Sequence, residues 1–178
     1  MRIVSIDVGT RNLALVVVEY DMANKTAQIC EWKVIDMGKV RGTKSDISKL
    51  TLETFCEMDD SIINVDRAYI EQQPRINATM VRVSHTISAY LQLQAIYRGA
   101  DIDVYFVPAA SKNAFINKKL CLKRTRVYKE NKSRAIQVVS SLSLPSVYHE
   151  QLSTSKKKDD LCDCLLQLLA QIEIHTLL

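Results

Sequence analysis

The sequence is poor in the residues that usually build zinc sites and disulfide frameworks. Its three histidines stand apart from any metal-ligand spacing, and its five cysteines include no C-x-x-C pair. Cys162 and Cys164 lie two residues apart on a predicted helix, so their side chains point in different directions. An odd number of dispersed cysteines predicts reduced thiols in an intracellular protein, without structural zinc.

Long hydrophobic runs are also absent. No stretch approaches the roughly 20 apolar residues of a membrane-spanning helix. Asp7 lies inside what would be the apolar part of a signal peptide, which disfavours secretion. We therefore expect a soluble intracellular protein, and 178 residues with 47% hydrophobic content predict one domain over residues 1–178.

Positive charge is concentrated in one segment, from Lys112 to Arg134. This segment contains nine basic residues and one acidic residue, a net charge of +8, which leaves −4 for the rest of the chain. A solvated loop could carry such charge, but Phe115 and Tyr128 lie among the basic residues, which favours a polyanion partner over a membrane surface. The predicted DNA-binding residues are Lys118, Lys119, Lys123, Arg124, Arg126, Lys129, Lys132 and Arg134.

The first predicted strand, Ile3 to Val8, carries a carboxylate in an otherwise apolar sequence. A tight turn from Gly9 to Asn12 joins it to a second strand, Leu13 to Tyr20, which predicts an antiparallel hairpin. An apolar strand of this kind is usually covered on both faces, where an ionised Asp7 is costly unless a cation or a hydrogen-bond donor meets it. Asp7 is therefore either a turn or capping residue, or part of a metal or phosphate site.

The rest of the chain alternates strands with helices. We predict strands at 27–37, 66–71 and 103–107, and helices near 45–63, 77–98, 131–142 and 157–174. Ser45 or Asp46 is the expected N-cap of the first helix, after a basic loop at 38–43. Because helical crossovers connect parallel strands, the predicted fold is α/β: a mixed five-stranded sheet with an antiparallel first hairpin and helices on both faces.

The last predicted helix is apolar around most of its circumference and has one narrow polar stripe. Stepping about 100° per residue places Asp160, Asp163 and Gln167 on this stripe and Asp159 at its edge. A largely buried helix must direct such a stripe at something other than the core. We assign Asp160 and Asp163 to a site and Asp159 to the start of the helix as a capping residue.

Carboxylates thus come from three parts of the chain: Asp7, Glu71, and the pair Asp160 and Asp163. Oxygen ligands alone favour Mg²⁺, with Mn²⁺ as a substitute, over zinc. Such a site beside a +8 segment suits phosphodiester cleavage with two ions, one activating water and one stabilising the leaving 3′ oxygen. The alternative is that these acids are unrelated surface residues. The position of Asp7 inside a core strand fits this alternative poorly.

Three blocks of sequence carry a resemblance to a known family. They are S-I-D-V-G-T-R-N-L-A, A-Y-I-E-Q-Q-P and K-K-K-D-D-L-C-D-C-L, in that order. With these blocks the chain resembles the RuvC-type Holliday junction resolvases, most closely the branch carried by poxviruses and other large DNA viruses. The D-V-G-T turn alone is a weak signal, but the three acidic blocks together are fairly specific and span nearly the whole chain.

The resemblance implies a ribonuclease H-like fold, a homodimer, and two-metal nicking of symmetric strands at a four-way DNA junction, in the host cytoplasm. By position, it makes Asp7, Glu71, Asp160 and Asp163 the catalytic, metal-binding acids. It also makes Lys112 a catalytic lysine after the fifth strand and gives Lys132, at the start of the next helix, a functional role. The segments 38–47 and 118–126 depart from the family pattern.

Other functions share parts of this pattern. A ribonuclease H-like nuclease acting on an RNA–DNA hybrid or a branched replication intermediate would have the same acids. Sugar kinases and actin-like ATPases also open with a D-V-G-T turn, but they need a second lobe and a further glycine-rich loop, which 178 residues with four glycines cannot supply. We therefore expect no nucleotide cofactor. A non-catalytic DNA-binding module would have little use for four acids.

Neutralising Lys123, Arg124 and Arg126 together should lower the affinity for a DNA junction and flatten its salt dependence. Each lost phosphate contact reduces the log–log slope of affinity against salt by about 0.9. Fluorescence anisotropy over a salt series measures both quantities. An unchanged slope would mean that these side chains do not contact phosphates.

Overall fold

The structure, a computed structural model, describes residues 1–38, 46–58, 62, 64–125, 127–172, 174 and 176–177. Most of the predicted loop 38–43, the predicted N-cap Ser45 and the predicted DNA-binding residue Arg126 lie outside the described residues. Within them, no helix is both long enough and apolar enough to cross a bilayer.

A mixed sheet with the strand order β5-β4-β1-β2-β3-β6 forms the centre of the fold. β1 pairs with β2, and β2 with β3, in antiparallel fashion, whereas β4 lies parallel to both β1 and β5. The predicted five-stranded arrangement is confirmed, with strand ends shifted by no more than one residue. The strands are β1 (Arg2–Asp7), β2 (Asn12–Asp21), β3 (Thr26–Asp36), β4 (Arg67–Glu71), β5 (Asp103–Val107) and a short β6 (Thr176–Leu177).

The turn between β1 and β2 requires glycine at position 9. A Cβ atom on Gly9 would lie 1.8 Å from the carbonyl oxygen of Asn12, far inside any allowed contact. The backbone N–H of Met37 also donates to the carbonyl of Arg11 at 2.7 Å, which ties the turn to the end of β3. The tight turn therefore fixes where β1 ends, and with it the position of Asp7.

Helices cover both faces of the sheet. The long helix α2 begins after the N-cap Asn77, whose side chain accepts a hydrogen bond from the backbone N–H of Met80, and it ends before Gly99 at φ +63°. The helices are α1 (Asp46–Glu57), α2 (Ala78–Tyr97), α3 (Ala109–Lys119), α4 (Tyr128–Ser140), α5 (Ser146–Thr154) and α6 (Lys158–Leu169).

α3, α5 and β6 were not predicted from the sequence, and the last helix ends at Leu169 rather than at the predicted residue 174. Both missed helices are short and bury few side chains: α3 buries Lys112 and Ile116, and α5 buries Leu152. A helix that buries so little has no clear apolar period in its sequence. The basic stretch after β5 is therefore mostly helical.

β2 shows why the sheet has a core on each side. Ala14, Val16 and Val18 pack beneath the face that α6 covers. The intervening residues of β2 face the other way, into a second core shared with α1 and α2. Burying a side chain of this size contributes roughly 1.5–3 kcal/mol, so a strand apolar on both sides is stable only when both faces are covered. This confirms the expectation for the first two strands.

Candidate active site

Strand alternation puts Asp7 and Glu71 on the same face of the sheet. β1 and β4 run parallel with Ser5 opposite Tyr69, so residues 7 and 71, two positions further on, follow on the same side. That side is the one that α6 covers, since Tyr69 belongs to the core beneath it. Both carboxylates therefore stand at the carboxyl edge of adjacent parallel strands, where ligands of α/β folds commonly bind.

α6 supplies a third carboxylate. Its residues Leu161, Leu165 and Leu168 are buried against the sheet, while the side chain of Asp163 keeps 24% exposure. Asp163 acts electrostatically on Asp7 and on Lys112. The polar stripe predicted for this helix therefore faces the ends of β1 and β4.

Lys112 lies among these acids. β5 ends at Val107, which pairs with Glu71, and Lys112 follows on the first turn of α3. Its ammonium nitrogen is 2.9 Å from Asp163 Oδ2 and 3.8 Å from Glu71 Oε1, and its side chain is only 8% exposed. The structure thus brings together four of the predicted site residues, from four different elements.

Burial and like charge perturb the acids of this cluster. Burial, and then the charge of Glu71, raise the pKa of Asp7 well above its usual range. Burial also raises the pKa of Asp163, and Lys112 offsets this only in part. For Lys112, burial opposes the charged form, but the charges of Asp163, Asp7 and Glu71 outweigh it and raise its pKa. The cluster holds more negative charge than one ammonium neutralises, which is typical of a cation site.

Gln73 orients Glu71. Its side-chain Nε2 donates to Glu71 Oε2 at 2.9 Å, while Oε1 is the oxygen nearer Lys112. Gln73 had no predicted role, although it stands in the A-Y-I-E-Q-Q-P block two residues after Glu71. A polar residue two positions beyond a strand-end acid was the available signal.

Asp160 lies beside this cluster rather than inside it. Its ion-pair partner is Lys157, at 4.0 Å, and its side chain is 22% exposed. Burial, and then the charge of Asp159, raise its pKa. Three of the four predicted acids therefore surround Lys112, with Asp160 three residues before Asp163 on the same helix.

The assignment of Asp159 as a helix cap is wrong. Lys157 is the N-cap and α6 begins at Lys158, so Asp159 already belongs to the first turn. It accepts a hydrogen bond from Lys132 Nζ, and this bond lowers the pKa of Asp159 although burial acts in the opposite direction. Lys132 also lies over the ring of Tyr128, 4.7 Å from its centroid. The pair links α4 to α6, so the ammonium of Lys132 is engaged within the protein.

The predicted DNA-binding residues differ in exposure. Arg134 donates to Asn117 Oδ1 at 3.0 Å and to the carbonyl of Lys123 at 2.9 Å, and it lies 3.6 Å from Glu130. These contacts make it a link between α3, α4 and the chain between them. The exposed members of the set are Lys118, Lys119, Lys123, Arg124 and Lys129.

Gln167 is a further residue that the sequence analysis left without a role. It is 2% exposed, and its Nε2 donates to Ser5 Oγ at 3.1 Å, to the Ile6 carbonyl at 3.2 Å and to the Tyr69 carbonyl at 3.0 Å. The paired register of β1 and β4 ends at Ile6, one residue before Asp7. Gln167 therefore joins α6 to both strands immediately below the acids. Its place on the polar stripe was the sequence signal.

The chemistry of the donor set suits a hard divalent ion. As the side chains stand, no three His, Cys, Asp or Glu residues in the described part of the chain could share a metal ion. Lys112 Nζ forms an ion pair with Asp163 Oδ2 and lies close to Glu71 Oε1. The groups that surround it are carboxylates from three elements, the ligands that Mg²⁺ and Mn²⁺ prefer.

Comparison with known proteins gives one family and several similar folds. The sequence model described as Poxvirus A22 protein matches residues 1–173. A comparison with curated protein sequences found no match.

Several solved structures have a similar fold. The fowlpox virus Holliday junction resolvase has a TM-score of 0.65 at 15% identity, over 96% of this chain and 97% of that one. The yeast mitochondrial Holliday junction resolvase has a TM-score of 0.66 at 16% identity, over 94% and 77%. T. thermophilus RuvC in complex with a Holliday junction substrate has a TM-score of 0.56 at 17% identity, over 96% and 92%. The predicted RuvC-type, ribonuclease H-like fold is confirmed.

We expect Gln167→Leu to destabilise the protein by about 1–3 kcal/mol, because it leaves a buried hydroxyl and two carbonyls without their donor. Urea denaturation followed by circular dichroism measures the change. Gln171→Leu, on the exposed surface after the same helix, is the matched control and should stay within about 0.5 kcal/mol of wild type. Equal stability of the two variants would mean that Gln167 does not hold α6 to the strands.

Proposed function

Because the chain belongs to the poxvirus A22 protein family, we propose that it is a metal-dependent endodeoxyribonuclease that resolves four-way DNA junctions by paired nicks. The observation that carries this proposal is the convergence of Asp7, Glu71 and Asp163 on Lys112 at the carboxyl edge of β1 and β4. Carboxylates placed this way suit divalent-ion chemistry on a phosphodiester, and the ammonium of Lys112 lies directly against two of them.

Two features support DNA as the substrate. The RuvC of similar fold is seen in complex with a Holliday junction substrate. In this chain, the helix that carries Lys112 ends in the exposed Lys118 and Lys119, and the exposed Lys123 and Arg124 follow it. Phosphate contacts of this kind position a nucleic acid without reading its sequence.

Each residue of the cluster has a separate task in this proposal. Asp7, Glu71 and Asp163 would hold the metal, and Asp160 would complete the ligand set from the preceding turn of α6. Two bound Mg²⁺ ions, or Mn²⁺ in their place, would activate a water molecule and stabilise the leaving 3′ oxygen. Lys112 stabilises negative charge on the phosphoryl oxygens in the transition state. Gln73 keeps Glu71 oriented, and Gln167 keeps α6 in register with the strands.

The unpaired cysteines agree with an intracellular site of action. Cys30, Cys56 and Cys121 are exposed free thiols, and Cys162 and Cys164 are buried ones. Thiols of this kind persist in a reducing compartment. A viral protein working in the cytoplasm of its host is consistent with this.

A direct test compares two substrates. We expect the wild-type protein to nick a labelled four-way junction in Mg²⁺ and to leave an RNA–DNA hybrid intact, with no cleavage in EDTA. Gel analysis at saturating protein measures both reactions. Cleavage of the hybrid but not of the junction would replace this proposal with a ribonuclease H-type activity.

The acids of α6 supply the matched controls for this test. Asp160→Asn and Asp163→Asn should abolish nicking and leave junction binding intact, because they remove metal ligands rather than phosphate contacts. Asp159→Asn should retain most activity, since Asp159 pairs with Lys132 and not with Lys112. If Asp159→Asn were inactive and Asp160→Asn were active, Asp159 rather than Asp160 would be the metal ligand.

Paired nicking requires two copies of the site, and α2 offers a surface for a homodimer. One side of the helix packs in the core through Val83 and Ile87. The other side leaves Leu93, Ile96 and Tyr97 exposed at 48%, 70% and 78%. A two-fold symmetric junction is met most simply by a two-fold symmetric dimer, and an apolar surface of this kind is the natural contact.

We therefore expect Ile96→Asp to convert a wild-type dimer into a monomer and to uncouple the two nicks. Sedimentation velocity gives the mass, and a cruciform plasmid distinguishes linear from singly nicked product. Val147→Asp, an exposed apolar position on α5, is the matched control and should remain dimeric. A wild-type protein that is monomeric both free and on the junction, yet makes paired nicks, would contradict the dimer.

A further inference from the structure

Lys112 is an unusual neighbour for a metal site. Its ammonium lies 2.9 Å from Asp163 Oδ2 and 3.8 Å from Glu71 Oε1, next to Asp7, and the residue is only 6% exposed. A buried carboxylate without a counterion is strongly unfavourable. The lysine therefore performs in the metal-free protein the task that a divalent ion performs in the metal-loaded one.

We propose that Lys112 and the divalent ion exclude each other from the carboxylates, so that metal binding displaces the ammonium from Asp163 and Glu71 and frees it for the DNA phosphate. This inference rests on the proposed metal-dependent function. It adds that Lys112 competes with the metal in the free protein, instead of only assisting after the metal has bound.

The distances between Lys112 and the acids support this exchange. Lys112 Nζ is 2.9 Å from Asp163 Oδ2, and a Mg²⁺ ligand lies about 2.1 Å from the ion. Two cations sharing this oxygen would lie within about 5 Å of each other, among side chains that are largely buried. The ammonium also lies 3.8 Å from Glu71 Oε1, so it obstructs a second ligand of the same ion. The side chain that must move is a flexible one on the first turn of α3.

Removing the positive charge should therefore have two effects of opposite sign. The metal-free protein loses the counterion of its carboxylates and becomes less stable. The metal loses its competitor and binds more tightly. If Lys112 had a purely structural role, its removal would weaken metal binding, because the acids would no longer be held in place. A lysine that only contacts phosphate would leave metal affinity unchanged.

The test measures Mn²⁺ affinity by isothermal titration calorimetry without DNA, at one fixed pH. Lys112→Met keeps the length of the side chain and removes its charge. We expect Lys112→Met to bind Mn²⁺ at least about tenfold more tightly than wild type. Lys49→Met is the matched control, because the Lys49 side chain is 78% exposed on α1 and pairs with Glu53. It should bind Mn²⁺ as wild type does.

Thermal melts of the same proteins supply an independent readout. In EDTA, Lys112→Met should have a lower melting temperature than wild type. Saturating Mn²⁺ should remove or reverse this difference in melting temperature. Lys112→Gln, which can still donate a hydrogen bond to Asp163, serves as the second variant if Lys112→Met does not fold. Its Mn²⁺ affinity should rise in the same direction.

An unchanged or weaker Mn²⁺ affinity in the folded variant would overturn the exchange. Junction nicking by the wild-type protein, measured in parallel, separates this outcome from a failure of the proposed function. If wild type nicks the junction and the variant shows no gain in affinity, the exchange alone is wrong. If the variant gains affinity and wild type nicks no junction in any divalent metal, the exchange stands and the proposed substrate is wrong.

Discussion

Three carboxylates crowd around one ammonium at the carboxyl edge of the sheet, and this imbalance of charge constrains the structure around it. Asp7, Glu71 and Asp163 come from two strands and a helix, and Lys112 comes from a fourth element. Acids brought this close raise one another's pKa and repel unless a cation separates them. The fold must therefore hold the four elements rigidly, because relaxation would move the acids apart.

Buried polar contacts provide that rigidity. Gln167 joins α6 to β1 one residue before Asp7 and to β4 two residues before Glu71. Trp32 Nε1 donates to the Leu161 carbonyl at 3.0 Å, which ties the start of the same helix to β3. Lys132 and Asp159 connect α6 to α4. The buried side-chain amide of Gln167 would cost stability if it lacked hydrogen-bond partners. Its three hydrogen bonds satisfy it and fix the position of α6 relative to β1 and β4.

Much of this arrangement could be predicted from the sequence, and particular residues explain where prediction failed. β5 was predicted residue for residue because its β-branched and aromatic residues are followed by Pro108, whereas α3 bears charge with little apolar periodicity and was missed. The helical wheel of α6 correctly grouped Asp163 with Gln167, but the expectation that this stripe avoids the core was wrong for Gln167, which is buried against β1 and β4. The pairing of Asp159 with Lys132, 27 residues apart, depends on the packing of α4 against α6. No local pattern encodes it, and so Asp159 was mistaken for a cap.

The most direct measurement of the central claim is a crystal structure with Mn²⁺ and its anomalous difference map. The account predicts Mn²⁺ bound by Asp7, Glu71 and Asp163, with Lys112 Nζ moved out of hydrogen-bonding distance of Asp163. A map in which Lys112 Nζ remains about 3 Å from Asp163 while Mn²⁺ binds elsewhere on the protein would contradict it.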